Sequence, residues 1–178
     1  MSSYSTTEAT PLEHLRDAME EQLLSLNWLV SNLSDEHYAM SLPLLSGNSI
    51  GKHVRHILEL LEELLDGQSR AKVDYDNRSR SLELEVSTTA ARLLISNQIL
   101  KINELDADKS LVLSAQYSSE KDGSIEIATS INRELYYNLE HAVHHMAIIQ
   151  IVLNDTRWLV APQTFGVAYS TQRHQQQG

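Results

Sequence analysis

Apolar residues recur at intervals of three and four in four windows of this chain, and in a fifth they alternate with polar residues. Leu12, Leu15, Met19, Leu23, Leu26 and Val30 form the first stripe. Thr10, Pro11 and Glu13 stand before it in capping-box order, so the pattern predicts a helix over 11–33. The small, polar residues 1–10 are expected to fray. A linker over 34–48 carries Pro43 and Gly47. Asn48 or Ser49 can then cap a second helix through Ile50, Val54, Ile57, Leu61 and Leu64, ending near Gly67. The next stretch has no apolar period and reads as a loop. From Ser81, the series Leu82, Val86, Ala90, Leu93, Leu94, Asn97, Leu100 and Leu105 predicts a third helix with Glu83 and Glu85 in its first turn. Leu111 and Leu113, then Ile125 and Ile127, alternate around a turn containing Asp122 and Gly123, the signal of a β-hairpin. Thr129 or Ser130 can cap a fourth helix running to about 154, with Leu135, Leu139, Ala142, Val143, Met146, Ile149 and Leu153 as its buried stripe. The tail over 156–178 holds Trp158, Pro162, Phe165 and Tyr169 and is expected to pack back on the helices. The expected fold is all-α, a four-helix bundle in one domain over 1–178, with a long connection between helices 2 and 3 and a small β-hairpin between helices 3 and 4.

Composition agrees with long helices, since 178 residues with 42% hydrophobic content include only six Gly and three Pro. The net charge of -10, from 14 basic and 24 acidic residues, would repel a phosphate backbone, so nucleic acid is not an expected partner. Cysteine is absent, which excludes disulfides, cysteine-ligated metals and a cysteine nucleophile. Any thiol chemistry must therefore bring its sulfur from outside. No stretch approaches the roughly 18 uninterrupted apolar residues of a membrane span, and no basic, apolar leader opens the chain. The expectation is a cytoplasmic protein with no membrane partner.

Five of the eight histidines fall in two helical windows, His53 and His56 in one and His141, His144 and His145 in the other. His141 and His145 are four apart, about 6 Å along one helical face, the spacing that lets two imidazoles reach one ion. A histidine from the other helix would complete a three-nitrogen site with open positions. Against this stands the bland reading that histidine pairs four apart arise by chance. Three neutral imidazoles suit Zn, Ni, Fe or Co. His144 lies roughly 100° around the helix from His145, which gives it an outer or surface role. Glu134 and Asn138 precede His141 by seven and three residues and can hydrogen-bond in the site, although a surface position is expected for Glu134. Between helices 2 and 3, Tyr75, Asp76, Arg78 and Arg80 crowd into six residues. Arginine holds a carboxylate through two parallel hydrogen bonds, so Tyr75, Arg78 and Arg80 are candidates for binding an acidic substrate or thiol cofactor. The alternative is a solvated loop whose arginines pair with the chain's acids. Phe165, Tyr169 and Arg173 could close over the site, with core cover the simpler role.

The strings "SIGKHVRHILELLEELLDG", "VDYDNRSRS" and "RELYYNLEHAVHHMAIIQIVL" resemble the DinB-like (DinB/YfiT-like) family of metal-binding four-helix proteins, over most of the chain from about Pro11 to Tyr169. The resemblance implies a divalent metal held by one histidine of the second helix and an HxxxH pair of a later one. Carried onto this chain, those positions are His56, His141 and His145, with His53 competing for the first. It further implies a transferase that uses a low-molecular-weight thiol such as bacillithiol, mycothiol or glutathione, bound as thiolate, against an electrophilic small molecule. Two rival expectations use the same helices. One is metal-dependent hydrolysis by a metal-bound water; the other is a non-catalytic, homodimeric four-helix module.

Overall fold

The computed structural model describes residues 9–118 and 123–177. Helix α1 spans Pro11–Asn32, and its capping box is closed: Thr10 Oγ1 accepts from the Glu13 amide, and the Glu13 carboxylate accepts from the Thr10 amide at 2.6 Å. The linker holds a short helix, α2 (Asp35–Ala39), capped by Ser34, and a 3-10 turn at Pro43–Leu45. Helix α3 spans Ile50–Gly67, with Ser49 Oγ accepting from the Lys52 amide at 3.1 Å. Strand β1 (Lys72–Val73) and a 3-10 turn at Tyr75–Asn77 lead to α4 (Leu82–Val86) and α5 (Thr88–Asn103). Strands β2 (Ser110–Gln116) and β3 (Ser124–Ser130) precede the long helix α6 (Ile131–Thr156), and α7 (Tyr169–Gln176) closes the chain. Helix α1 packs on α5 and α6, and α3 packs on the same two helices. Met19, Leu23, Leu26, Leu58, Leu61, Ile95, Ile102, Met146 and Ile149 fill the core between them.

The expectation of an all-α four-helix bundle is overturned by a three-stranded mixed sheet and by seven α-helices among the described residues. In the sheet, β1 runs parallel to β2 (Lys72↔Val112, Val73↔Leu113) and β3 antiparallel to it, from Ser110↔Ser130 to Gln116↔Ser124. The connection expected to be a plain loop thus supplies an edge strand. Two residues are too few to show alternation, yet Val73 is fully buried and the Ala71 carbonyl accepts from the Val112 amide at 3.0 Å. Asp122 of the expected turn, and residues 1–8 of the expected frayed start, lie outside the described residues.

The third helix is also broken where one continuous element was expected. Ser87 is extended (φ -119°, ψ 110°), and its Oγ accepts from the Ala90 amide at 3.2 Å, so a new helix starts there. The break resets the buried face to Ala91, Ile95, Gln98 and Ile102, and leaves Leu82, Val86, Leu93 and Leu100 exposed. Ser87→Ala should cost about 1 kcal/mol of stability in urea unfolding. A loss under a few tenths would show that packing alone holds the break.

Helix α4 lies close on α3 because Gly51 has no side chain. A Cβ there would fall well inside contact distance of the Glu85 carbonyl oxygen and 2.8 Å from the Tyr38 ring. Tyr38 Oη donates to the Leu84 carbonyl at 2.8 Å, and buried Arg55 pairs with both Glu85 and Glu59. Glu59 Oε1 also accepts from the Ser81 amide, while burial raises the Glu59 pKa. These contacts hold the N-terminal half of α3, which carries His53 and His56. The tail lies across α1 and α6: Phe165 is buried 6.1 Å from the Trp28 ring, and Tyr169 Oη accepts from Gln22 and donates to Glu21 at 2.8 Å.

Candidate metal centre

Packing of α3 against α6 brings His56 to His141 and His145. One nitrogen from each ring lies within 4.8 Å of the other two, and all three rings are half-buried. His56 Nε2 is 2.9 Å from His141 Nε2, and the ring centroids of His145 lie 4.7 Å from His56 and 4.6 Å from His141. A tetrahedral ion with bonds of about 2.0–2.1 Å places its ligand nitrogens about 3.3 Å apart. The His56–His141 pair lies near that spacing, and the three imidazoles together could hold a metal ion.

Their electrostatics suit that role. Burial, followed by the Arg78 charge, lowers the His56 pKa to about 4, and burial, followed by His141, lowers that of His145 to about 3. Burial lowers His141 and His53 as well. Neutral imidazole is the form with a lone pair for a metal, so protons compete weakly here. A stability consequence has a definite sign. With folded pKa values below the ordinary 6.5, the contribution of these rings is complete above pH 6.5 and is lost as pH falls through the folded values. Chelator-treated protein should lose urea resistance from pH 6.5 down to about 3, and His145→Leu should flatten that slope. An unchanged slope in the variant would contradict the assignment.

The remaining histidines stand aside from the trio. His53 Nδ1 lies 2.8 Å from His145 Nδ1, and when His145 Nδ1–H is the donor of that contact its Nε2 lone pair is free for an ion. His144 is exposed, its ring edge-on to His145 at 5.5 Å.

Asn138 is buried and donates to Tyr75 Oη at 2.9 Å, while that hydroxyl donates to Glu134 Oε2 at 2.9 Å. Thr129 Oγ1 donates to Glu134 Oε1 at 2.6 Å. Glu134 is only 1% exposed, which corrects the expected surface position: its carboxylate is enclosed, with donors supplied by Tyr75 from a distant segment and by Thr129 at the end of β3. The Tyr137 ring stands between this network and the cluster, 5.5 Å from both Tyr75 and His141. The spacing of Glu134, Asn138, His141 and His145, at four, three and four, was the available signal that all share one face.

Of the three loop candidates for substrate binding, the structure turns only Arg78 to the cluster. Its Nη2 donates to His56 Nδ1 at 2.9 Å, and its Nη1 donates to the Tyr75 carbonyl. Tyr75 is buried in the Glu134 network, and exposed Arg80 donates to the Asp76 carbonyl at 3.2 Å. A cavity of about 240 Å³ opens beside the trio, lined by Lys52, His53, Arg55, His56, Arg78 and His145 among others.

No family model matches the chain, and no solved structure does. The chain is similar to a protein named FK506-binding protein 5 from Rhizopus delemar, with 32% identity over 105 residues. The match takes in 57% of this chain and 27% of that protein, so the chain spans little more than a quarter of its relative's length. No described helix is long and apolar enough to cross a membrane.

Proposed function

We propose that this chain is a metal-dependent enzyme of the DinB-like kind, joining a low-molecular-weight thiol to an electrophilic small molecule. The observation that carries this reading is the convergence of three imidazoles from two helices beside an open cavity, with no carboxylate among the described residues completing the group. Such a set leaves positions for exogenous ligands, as catalytic sites do and structural ones do not. A divalent ion bound here supplies Lewis acidity, taking a thiol as its thiolate near neutral pH. The chain's own part is to hold three neutral nitrogens in place, to orient His145 through His53, and to offer Lys52 and Arg78 beside the reacting groups. A cytoplasmic setting goes with this reading, because small thiols are kept reduced there.

The test uses Co²⁺-loaded protein titrated with glutathione and other biological thiols. A sulfur-to-metal charge-transfer band is expected with at least one of them and should be absent in His56→Ala. Consumption of an electrophilic acceptor should then depend on both ion and thiol. Ester cleavage that needs the ion but no thiol would reassign the site to hydrolysis, and neither band nor turnover would leave a non-catalytic metal-binding module.

A further inference from the structure

Arg78 touches the cluster in a way that conflicts with the ion it borders. A guanidinium has only donors, so Nδ1 of His56 must accept from Nη2. The neutral ring then carries its proton on Nε2, which donates to His141 Nε2 at 2.9 Å. Ligation through Nε2 would shift that proton to Nδ1, where it would point at an Arg78 N–H. Ligation through Nδ1 would meet Arg78 directly. On either nitrogen, His56 can take an ion only when Arg78 turns away.

The charges around the cavity indicate what would receive it. Arg55 at the cavity wall is neutralised by Glu59 and Glu85, whereas neither Arg78 nor Lys52 has an ion pair among the described residues. Lys52 is exposed on the first turn of α3. The Nε–H of Arg78 is buried with no acceptor. Two cations without a salt-bridge partner on one cavity are conspicuous in a chain of net charge -10, although the Glu59 and Asp76 charges also act on Arg78. In a guanidinium, Nε–H and one Nη2–H run parallel, the two-point edge that matches a carboxylate.

We infer that this cavity binds a small molecule through a carboxylate held by Arg78 and Lys52, and that Arg78 passes from His56 to that carboxylate, so that ligand and metal ion bind cooperatively. The inference rests on the three-histidine ion site of the proposed function and adds the chemical class of its ligand. By linkage, a carboxylate that draws Arg78 off His56 strengthens ion binding, and the ion strengthens carboxylate binding by the same factor.

The experiment measures Zn²⁺ affinity of the whole chain at buffered free Zn²⁺ and matched ionic strength, with succinate, inorganic phosphate or chloride present. Succinate should tighten Zn²⁺ binding about tenfold, and phosphate much less. Arg78→Gln should bind Zn²⁺ at least as tightly as the parent without succinate and show no enhancement with it. Arg78→Lys, which keeps charge but not the planar edge, should retain a fraction of the coupling, and Lys52→Gln should weaken it a few-fold. Equal Zn²⁺ affinity with and without succinate overturns the inference while leaving the ion site intact. Enhancement that survives in Arg78→Gln also overturns it, because the carboxylate would then be meeting the ion itself. Equal enhancement by phosphate overturns the carboxylate assignment. A parent protein that binds no Zn²⁺ overturns the ion site and this inference together.

Discussion

Replacing His141 by alanine should weaken Zn²⁺ or Ni²⁺ binding by more than about 100-fold, since loss of an outer hydrogen-bond partner alone costs 10–100-fold at such sites. His141 is one of three donors, and the two left behind cannot close a tetrahedral set without a further water or carboxylate. His56 Nε2 would also lose the ring nitrogen 2.9 Å away. His144→Ala is the matched control: its ring is exposed and outside the trio, so metal content per chain should not change. Competition with a chromophoric chelator reads both. Parent-like affinity in His141→Ala, or a comparable loss in His144→Ala, would place the ion elsewhere.

The second large effect is expected at Gly51, in the first turn of the helix that bears His53 and His56. Alanine there must push the Glu85 carbonyl and the Tyr38 ring aside, and Glu85 is held by buried Arg55. Overpacking against backbone costs about 3 kcal/mol, a fall in Tm of roughly 6–12 °C for a chain of this size. Gly47→Ala isolates the conformational part. Gly47 has φ +82°, and its Cβ would meet nothing nearer than Ser41 Oγ at 3.9 Å, so it should cost about 1 kcal/mol. Thermal unfolding of the two variants compares them directly. If Gly51→Ala proves the milder, the approach of α4 to α3 is looser than described.

The helical part of this chain was legible because helix periodicity and capping are local. Thr10, Ser49 and Ser130 each cap the helix their position suggested, and the HxxxH spacing set His141 and His145 on one face without knowledge of any other segment. What depended on distant partners was hidden. Strand β1 exists because β2 offers an edge to two residues that carry no pattern of their own. The break at Ser87 was masked because Leu82, Val86, Leu93 and Leu100 keep a helical spacing across it, although they face solvent. Glu134 looked like a surface acid until Tyr75 and Thr129, from other segments, supplied its donors. His53 and His56 both stood within reach of the other helix, and periodicity within α3 could not say which would face His141; the docking of α3 on α6 brings His56 there and turns His53 toward His145.

X-ray absorption at the metal edge of Zn²⁺-loaded protein tests the central claim most directly, because it counts imidazoles around the ion. Three imidazole nitrogens at about 2.0–2.1 Å are expected, with the remaining position filled by a light exogenous ligand. With no cysteine in the chain, a new sulfur shell at about 2.3 Å should appear only when a thiol is added. An ion with fewer than three imidazoles, or one ringed by carboxylates, would contradict the account.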